Sequence, residues 1–121
     1  MIKAYKLYTG EDGHSHFIEG TVAENLIHHV VGIRFKESPP HSVYDWHNAP
    51  TEQYVLTLSG TLEFETFLGE KFILKPGEVL IALDTTGTAH RWRMIDDDPW
   101  KRVYVSFKND ADINFIPISK E

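Results

Sequence analysis

The side chains with chemistry to offer are seven histidines among eighteen acidic residues, with no cysteine. Imidazoles and carboxylates move protons near neutral pH, and they also ligate divalent ions. Trp46-His47-Asn48-Ala49-Pro50 leads into Thr51-Glu52-Gln53-Tyr54-Val55-Leu56-Thr57-Leu58-Ser59-Gly60, so a polar cluster runs straight into residues suited to a strand. The motifs that are missing narrow the chemistry. There is no Gly-rich phosphate loop, no Gly-x-Ser-x-Gly elbow, no cysteine nucleophile and no His-Glu-x-x-His. Nucleophilic hydrolysis is therefore not expected.

Strands must position these residues. Alternation puts Gln53, Val55 and Thr57 on one face of the 53–59 stretch and Tyr54, Leu56 and Leu58 on the other. If Gln53 faces inward, the apolar row faces outward. It then needs cover from a second sheet or a second subunit, which points to a homodimer. Ser59-Gly60 is expected to close a hairpin with 61–66. Further strands are expected at 5–8, 15–18, 25–36 with a bulge at Gly32, 71–74, 79–83, 88–94 and 100–107. Residues 41–48 read as a loop or irregular strand, and the only helix candidates are single turns at 22–25 and 109–113. Ile113, Phe115, Ile116 and Ile118 suggest a tail that docks. Many short strands separated by Gly and Pro turns indicate an all-β sandwich or barrel.

The chain of 121 residues fits one domain, 1–121, and can bury a core without staples. The lack of cysteine suits a reducing compartment. No apolar leader and no run of membrane-spanning length is seen, so a cytoplasmic protein with no membrane partner is expected. A net charge of −6 argues against a nucleic-acid partner.

Across residues 40–107 the chain resembles the cupin superfamily of small jelly-roll, or double-stranded β-helix, barrels. That family's first motif runs His-x-His, a short spacer, Glu, a longer spacer and Gly. Here six residues separate Gln53 from Gly60, and three separate Ala49 from Gln53. This places His47 on the first His, Ala49 on the second and Gln53 on the Glu. The second motif ends Gly-x-x-His, matched by Gly87-Thr88-Ala89-His90, and Lys75-Pro76-Gly77-Glu78 sits where such proteins turn. The resemblance implies a barrel with a divalent ion (Zn, Ni, Fe or Mn) on His47, Gln53 and His90. The family's usual carboxylate has become an amide, and its second imidazole an alanine. A further ligand would have to come from His41, Asp45, His16, His28 or His29. Asp45 would share a face with His47 in an extended segment and would complete a two-His, one-carboxylate set.

The simpler reading makes His47 and His90 hydrogen-bonded histidines of the barrel mouth, and Gln53 a pocket residue. His16, His41, Asp45, Trp46 and Trp92 are further pocket candidates, as are Tyr44 and Tyr104, with packing as the ordinary role of each aromatic. His14, His28 and His29 read as surface or packing residues, and Glu63 and Glu65 as solvated charges. Arg91 and Arg93 should face away from His90, as surface charges or anchors for an anion at the rim. Three functions follow: a metal-dependent oxygenase or isomerase on a small metabolite, a metal-free sensor or carrier of a small molecule, or a structural domain with a decayed site. The lost ligands favour small-molecule binding.

Overall fold

Short alternating segments broken by Gly, Pro and Asp fold into eleven strands in a computed structural model that describes residues 1–108 and 113–118. These residues contain no helix. The strands are β1 (Ile2–Thr9), β2 (Ser15–Val22), β3 (Gly32–Ser38), β4 (Val43–His47), β5 (Gln53–Ser59), β6 (Leu62–Thr66), β7 (Lys71–Leu74), β8 (Val79–Ala82), β9 (His90–Met94), β10 (Trp100–Ser106) and β11 (Phe115–Pro117). They form a seven-stranded sheet ordered β11-β2-β1-β8-β5-β10-β3 and a four-stranded sheet ordered β4-β9-β6-β7. Neighbours pair antiparallel except β1 and β8, which run parallel.

Burial follows the alternation. Phe64, Leu62, Phe72, Leu74, Trp92 and Met94 of the smaller sheet meet Tyr5, Leu7, Val55, Leu80 and Trp100 of the larger one. Phe64 and Phe72 stack with centroids 5.1 Å apart. Each fully buried side chain of this size contributes roughly 1.5–3 kcal/mol. All four residues of β8 are buried, because a central strand with both faces covered needs apolar residues throughout. Leu80 and Ala82 face the intersheet core, and Val79 and Ile81 face a second cluster behind the larger sheet.

That second cluster changes the expected cover of the outward row. Phe107, Ile113 and Phe115 of the same chain pack with Tyr54, which is 8% exposed. His28 meets Tyr54 edge to face and lies tilted against Phe107. The tail docks through β11, which pairs with Gly20–Val22 of β2. A Cβ at Gly20 would lie 2.2 Å from the Ile116 carbonyl oxygen. The row opens up along β5: Leu56 is half-buried and Leu58 is 63% exposed.

Several expected elements take a different form. Ser59-Gly60 is a corner between sheets, since β5 pairs with β8 and β10 while β6 pairs with β7 and β9. Gly60 has φ +93, and a Cβ there would stand 2.9 Å from the Pro99 carbonyl oxygen, so glycine serves the close passage of this corner over 99–100. The 25–36 strand begins only at Gly32, which opens β3 and is not a bulge. Residues 25–31 find no strand partner beyond Val31 N–H to the Ser106 carbonyl, and Asn25 turns the chain at φ 64. No helical turn forms at 22–25, where Val22 ends β2 and Ala23 N–H bonds the Asn114 carbonyl. The candidate turn at 109–113 lies largely outside the described residues.

Candidate ligand-binding cavity

Between the sheets lies a cavity of about 290 Å³. Its wall on the larger sheet comes from Arg34 and Lys36 of β3, Arg102 and Tyr104 of β10, Gln53 and Val55 of β5, and Leu80 and Ala82 of β8. The opposite wall comes from Tyr44 and His47 of β4, His90 and Trp92 of β9, and Phe64 of β6. Register produces these rows. Arg34 lies opposite Tyr104, Tyr104 opposite Val55 and Val55 opposite Leu80; across the cavity, Tyr44 lies opposite Trp92 and Trp92 opposite Phe64. Arg34, Lys36 and Tyr44 are exposed and mark the open side.

A β-bulge brings the two imidazoles together. Tyr44 pairs with Trp92 and His47 with His90, so β4 takes three steps where β9 takes two. The extra residue sends Tyr44 and His47 to the same inner face, which strict alternation would forbid. The His47 and His90 rings stand edge to face with centroids 4.4 Å apart. The same bulge sends Asp45 outward, so Asp45 and His47 do not share a face as the extended reading expects. Asp45 lines a shallow groove outside the smaller sheet with Glu63, Glu65, Arg91 and Arg93.

Each imidazole has its Nδ1 engaged. His47 Nδ1–H donates to the Asp45 carbonyl at 2.8 Å. His90 Nδ1–H donates to Asp84 Oδ2 at 2.6 Å, and Ser15 Oγ–H donates to the same oxygen at 3.1 Å. In the neutral form of each ring the lone pair is therefore at Nε2. Burial, with a smaller push from His90, holds the His47 imidazole below the ordinary histidine range; its bond to the Asp45 carbonyl offsets this only in part. Asp84 is fully buried, and its Oδ1 has no partner among the described residues. Asn48 Nδ2 fastens the surrounding loop through the carbonyls of Asp84, Thr86 and Gly87. Ala89, directly before His90, is buried with φ +80, a conformation that alanine adopts under strain.

The wall is basic. Arg34, Lys36 and Arg102 line it, and among the described residues no Asp or Glu does, although the chain as a whole carries −6. Arg102 is 2% exposed and stacks over Trp100, its guanidinium carbon 3.8 Å from the ring centroid. A metal would have to bind His47 and His90 Nε2 with Gln53 Oε1. Among the described residues, no group of three or more His, Cys, Asp or Glu is placed to hold an ion. Two neutral nitrogens and a neutral oxygen beside three cations fit a divalent transition metal poorly.

Of the pocket candidates, Trp92, Tyr44 and Tyr104 line this cavity together with His47, Gln53 and His90. Trp46 does not: the bulge turns it outward against Phe67 and under Arg91. His41 is exposed at φ 66 and pairs with Asp97, beyond the start of β4. His16 is held on β2 by Asp12 and Glu70, which raise its pKa above the ordinary value through hydrogen bonds, that to Asp12 first. His28 and His29 lie in the 25–31 segment, with His28 against Tyr54. Arg91 and Arg93 face away from the cavity and pair with Glu65 and Glu63.

Asp84, Ser15, Arg34, Lys36 and Arg102 are cavity or supporting residues that motif reading missed. Alternation in 100–107 groups Arg102 with Trp100 and Tyr104, opposite Val103, but which of the two faces turns to the cavity is decided by the pairing of β10 with β3 and β5. Nothing local marks Ser15, which is 69 residues from Asp84.

Among solved structures the chain is similar to the crystal structure of protein NMB1881 from Neisseria meningitidis, with a TM-score of 0.46, 11% identity, and coverage of 72% of this chain and 88% of that one. No family model matches the chain, and no curated protein does.

Proposed function

We propose that this chain is a cupin-type jelly-roll barrel that binds a small molecule in the cavity between its sheets. The repeated passage of the chain between sheets from β3 to β10, and the motif positions His47, Gln53, Gly60 and His90, support the barrel reading. The observation that carries the function is the pair of imidazoles whose Nδ1–H groups are occupied, so that two Nε2 lone pairs are left to orient a ligand donor. Aromatic walls with a few convergent polar groups are the usual make-up of such sites. The donor set favours a metal-free site over a resident divalent ion.

A second reading, an isomerase, is favoured by the buried Asp84–His90 pair. Asp84 would hold the ring while His90 Nε2 takes a proton from the ligand and returns it at another position. Self-association is also proposed, with β3 as the contact. It ends the larger sheet with an edge that no described strand pairs, and Ile33 and Phe35 on its outer face are 62% and 72% exposed.

The test is a thermal-shift screen of small metabolites in chelator-treated buffer, on wild type and on Ala82→Leu, which fills the cavity wall. A rise in Tm in wild type that Ala82→Leu abolishes is expected. Protein purified without chelator that carries stoichiometric transition metal, lost in His47→Ala and His90→Ala, would replace this reading with a metal centre. Neither a ligand nor a metal would leave the domain structural. Sedimentation should give a dimer in wild type and a monomer in Phe35→Lys.

A further inference from the structure

We infer that the cavity takes a small organic acid and that Arg102 receives its carboxylate. This rests on the reading of the cavity as a small-molecule site and names the class of molecule that enters it.

The inference starts from the proton inventory of Arg102. A guanidinium has five N–H donors and carries its charge at any working pH. Here Nε–H donates to Tyr104 Oη at 2.8 Å, and Nη1 donates to Ser38 Oγ at 2.9 Å and to the Trp100 carbonyl at 3.1 Å. All three acceptors are neutral. The two Nη2 protons have no protein acceptor among the described residues, and no carboxylate there pairs with Arg102. A buried cation without a counter-charge is unfavourable unless an anion completes it.

Register makes the demand stronger. Lys36 lies directly opposite Arg102 on the neighbouring strand, an arrangement that like charges disfavour. Arg34 lies opposite Tyr104 with its guanidinium 4.5 Å over that ring. Neither Arg34 nor Lys36 has an acidic partner among the described residues, in contrast to Arg91 and Arg93 on the outer surface, each paired to a glutamate. In a chain with 18 acidic and 12 basic residues, three cations along one cavity wall thus have no acidic partner among the described residues.

Size and shape select the acid. At about 290 Å³ the cavity suits a body on the order of ten non-hydrogen atoms, taking the volume share of a water as about 30 Å³. One buried guanidinium with a single free nitrogen matches a monocarboxylate. The walls of Trp92, Trp100 and Phe64 suit a flat apolar body. The Nε2 lone pairs of His47 and His90 add a preference for a hydroxyl donor, and so for a hydroxy acid.

The experiment titrates wild-type protein with benzoate, mandelate, their neutral amides and phenyl phosphate at low ionic strength, reading tryptophan fluorescence and Tm. Trp92 and Trp100 line the cavity and report occupancy. Carboxylates should bind at least ~10-fold more tightly than their amides, because a hydrogen bond to a charged group is worth that factor or more. Arg102→Gln should lose the same factor. Arg34→Gln with Lys36→Gln, at exposed positions, should weaken carboxylate binding and flatten its salt dependence; this pair carries the test if Arg102→Gln does not fold. Amides that bind as well as acids would overturn the anion and leave the cavity reading intact. So would a folded Arg102→Gln that binds carboxylate normally. Phenyl phosphate binding ~10-fold more tightly than mandelate would replace carboxylate by phosphate. Failure of these probes while the metabolite screen yields a neutral ligand sinks only this inference; failure of both sinks the cavity reading as well.

Discussion

Asp84→Asn tests whether the buried carboxylate holds His90 in place. Asp84 is fully buried, His90 is 4% exposed and Ser15 is fully buried, so water cannot replace a lost bond. Asp84 Oδ2 accepts from both His90 Nδ1 and Ser15 Oγ, while Oδ1 has no partner among the described residues. Asparagine has one oxygen. If that oxygen keeps both bonds, the amide nitrogen takes the place of Oδ1 and leaves two buried N–H groups without an acceptor. If the nitrogen turns toward His90, the imidazole proton must move to Nε2, and the Ser15 bond changes direction. Either way a charge-assisted hydrogen bond becomes a neutral one. Hydrogen bonds to charged groups contribute about 1.5–3 kcal/mol, part of which is returned because a buried carboxylate no longer has to be desolvated. The expected destabilisation is about 1–3 kcal/mol, and the fall in Tm roughly 3–15 °C for a domain of this length. Calorimetry measures the loss, and ¹⁵N spectra of the imidazoles read the His90 tautomer. Asp84→Asn with wild-type stability and Nδ1 still protonated would refute the reasoning. Ser15→Ala, which removes only the hydroxyl bond, should cost about 1 kcal/mol and leave the tautomer unchanged.

Four more substitutions have expected outcomes. Burial lowers the pKa of His47, so below about pH 6.5 the unfolded chain binds the proton that the folded site resists; wild-type stability should therefore fall with pH through that range, and His47→Gln should flatten the slope in urea titrations. His16 works in the opposite sense, because its raised pKa gives stability that is present below about pH 6.5 and lost as pH rises through the raised value; His16→Gln should lower stability at acid pH and remove the loss seen as pH rises above about 6.5. Ala89→Gly relieves φ +80 beside His90 and should stabilise by about 1 kcal/mol, while Gly60→Ala, forced against Pro99 and Trp100 backbone, should destabilise by about 2 kcal/mol or more, both read by chemical denaturation.

The local pattern made the strands legible. Alternation in 53–59 and 100–107 places Gln53, Val55 and Tyr104 on one face and Tyr54, Val103 and Val105 on the other, as observed. Side-chain period and turn residues act within a few residues, so they can be read from one segment. The 25–36 stretch shows the limit. Its β-branched residues suit a strand, but only Gly32 onward finds a partner. Propensity is neutral about whether an edge is available.

Composition and alternation alone determined an all-β chain of short strands and the grouping of Gln53, Val55 and Thr57 on one face of theirs, because these depend on side-chain types and their spacing. The tertiary structure decided which sheet each strand joins, and with it the site. Gly60 reads as a hairpin turn until the approach of Pro99 and Trp100 makes it a corner. One extra residue in β4 sends His47 inward and Asp45 outward. Asp84, Ser15 and His90 meet only because β2 and the 84–90 turn are brought together. Lys36 and Arg102 face each other only through pairing of β3 with β10. Bulges, corners and buried charge are long-range packing outcomes, and no window along the chain contains the residues that produce them.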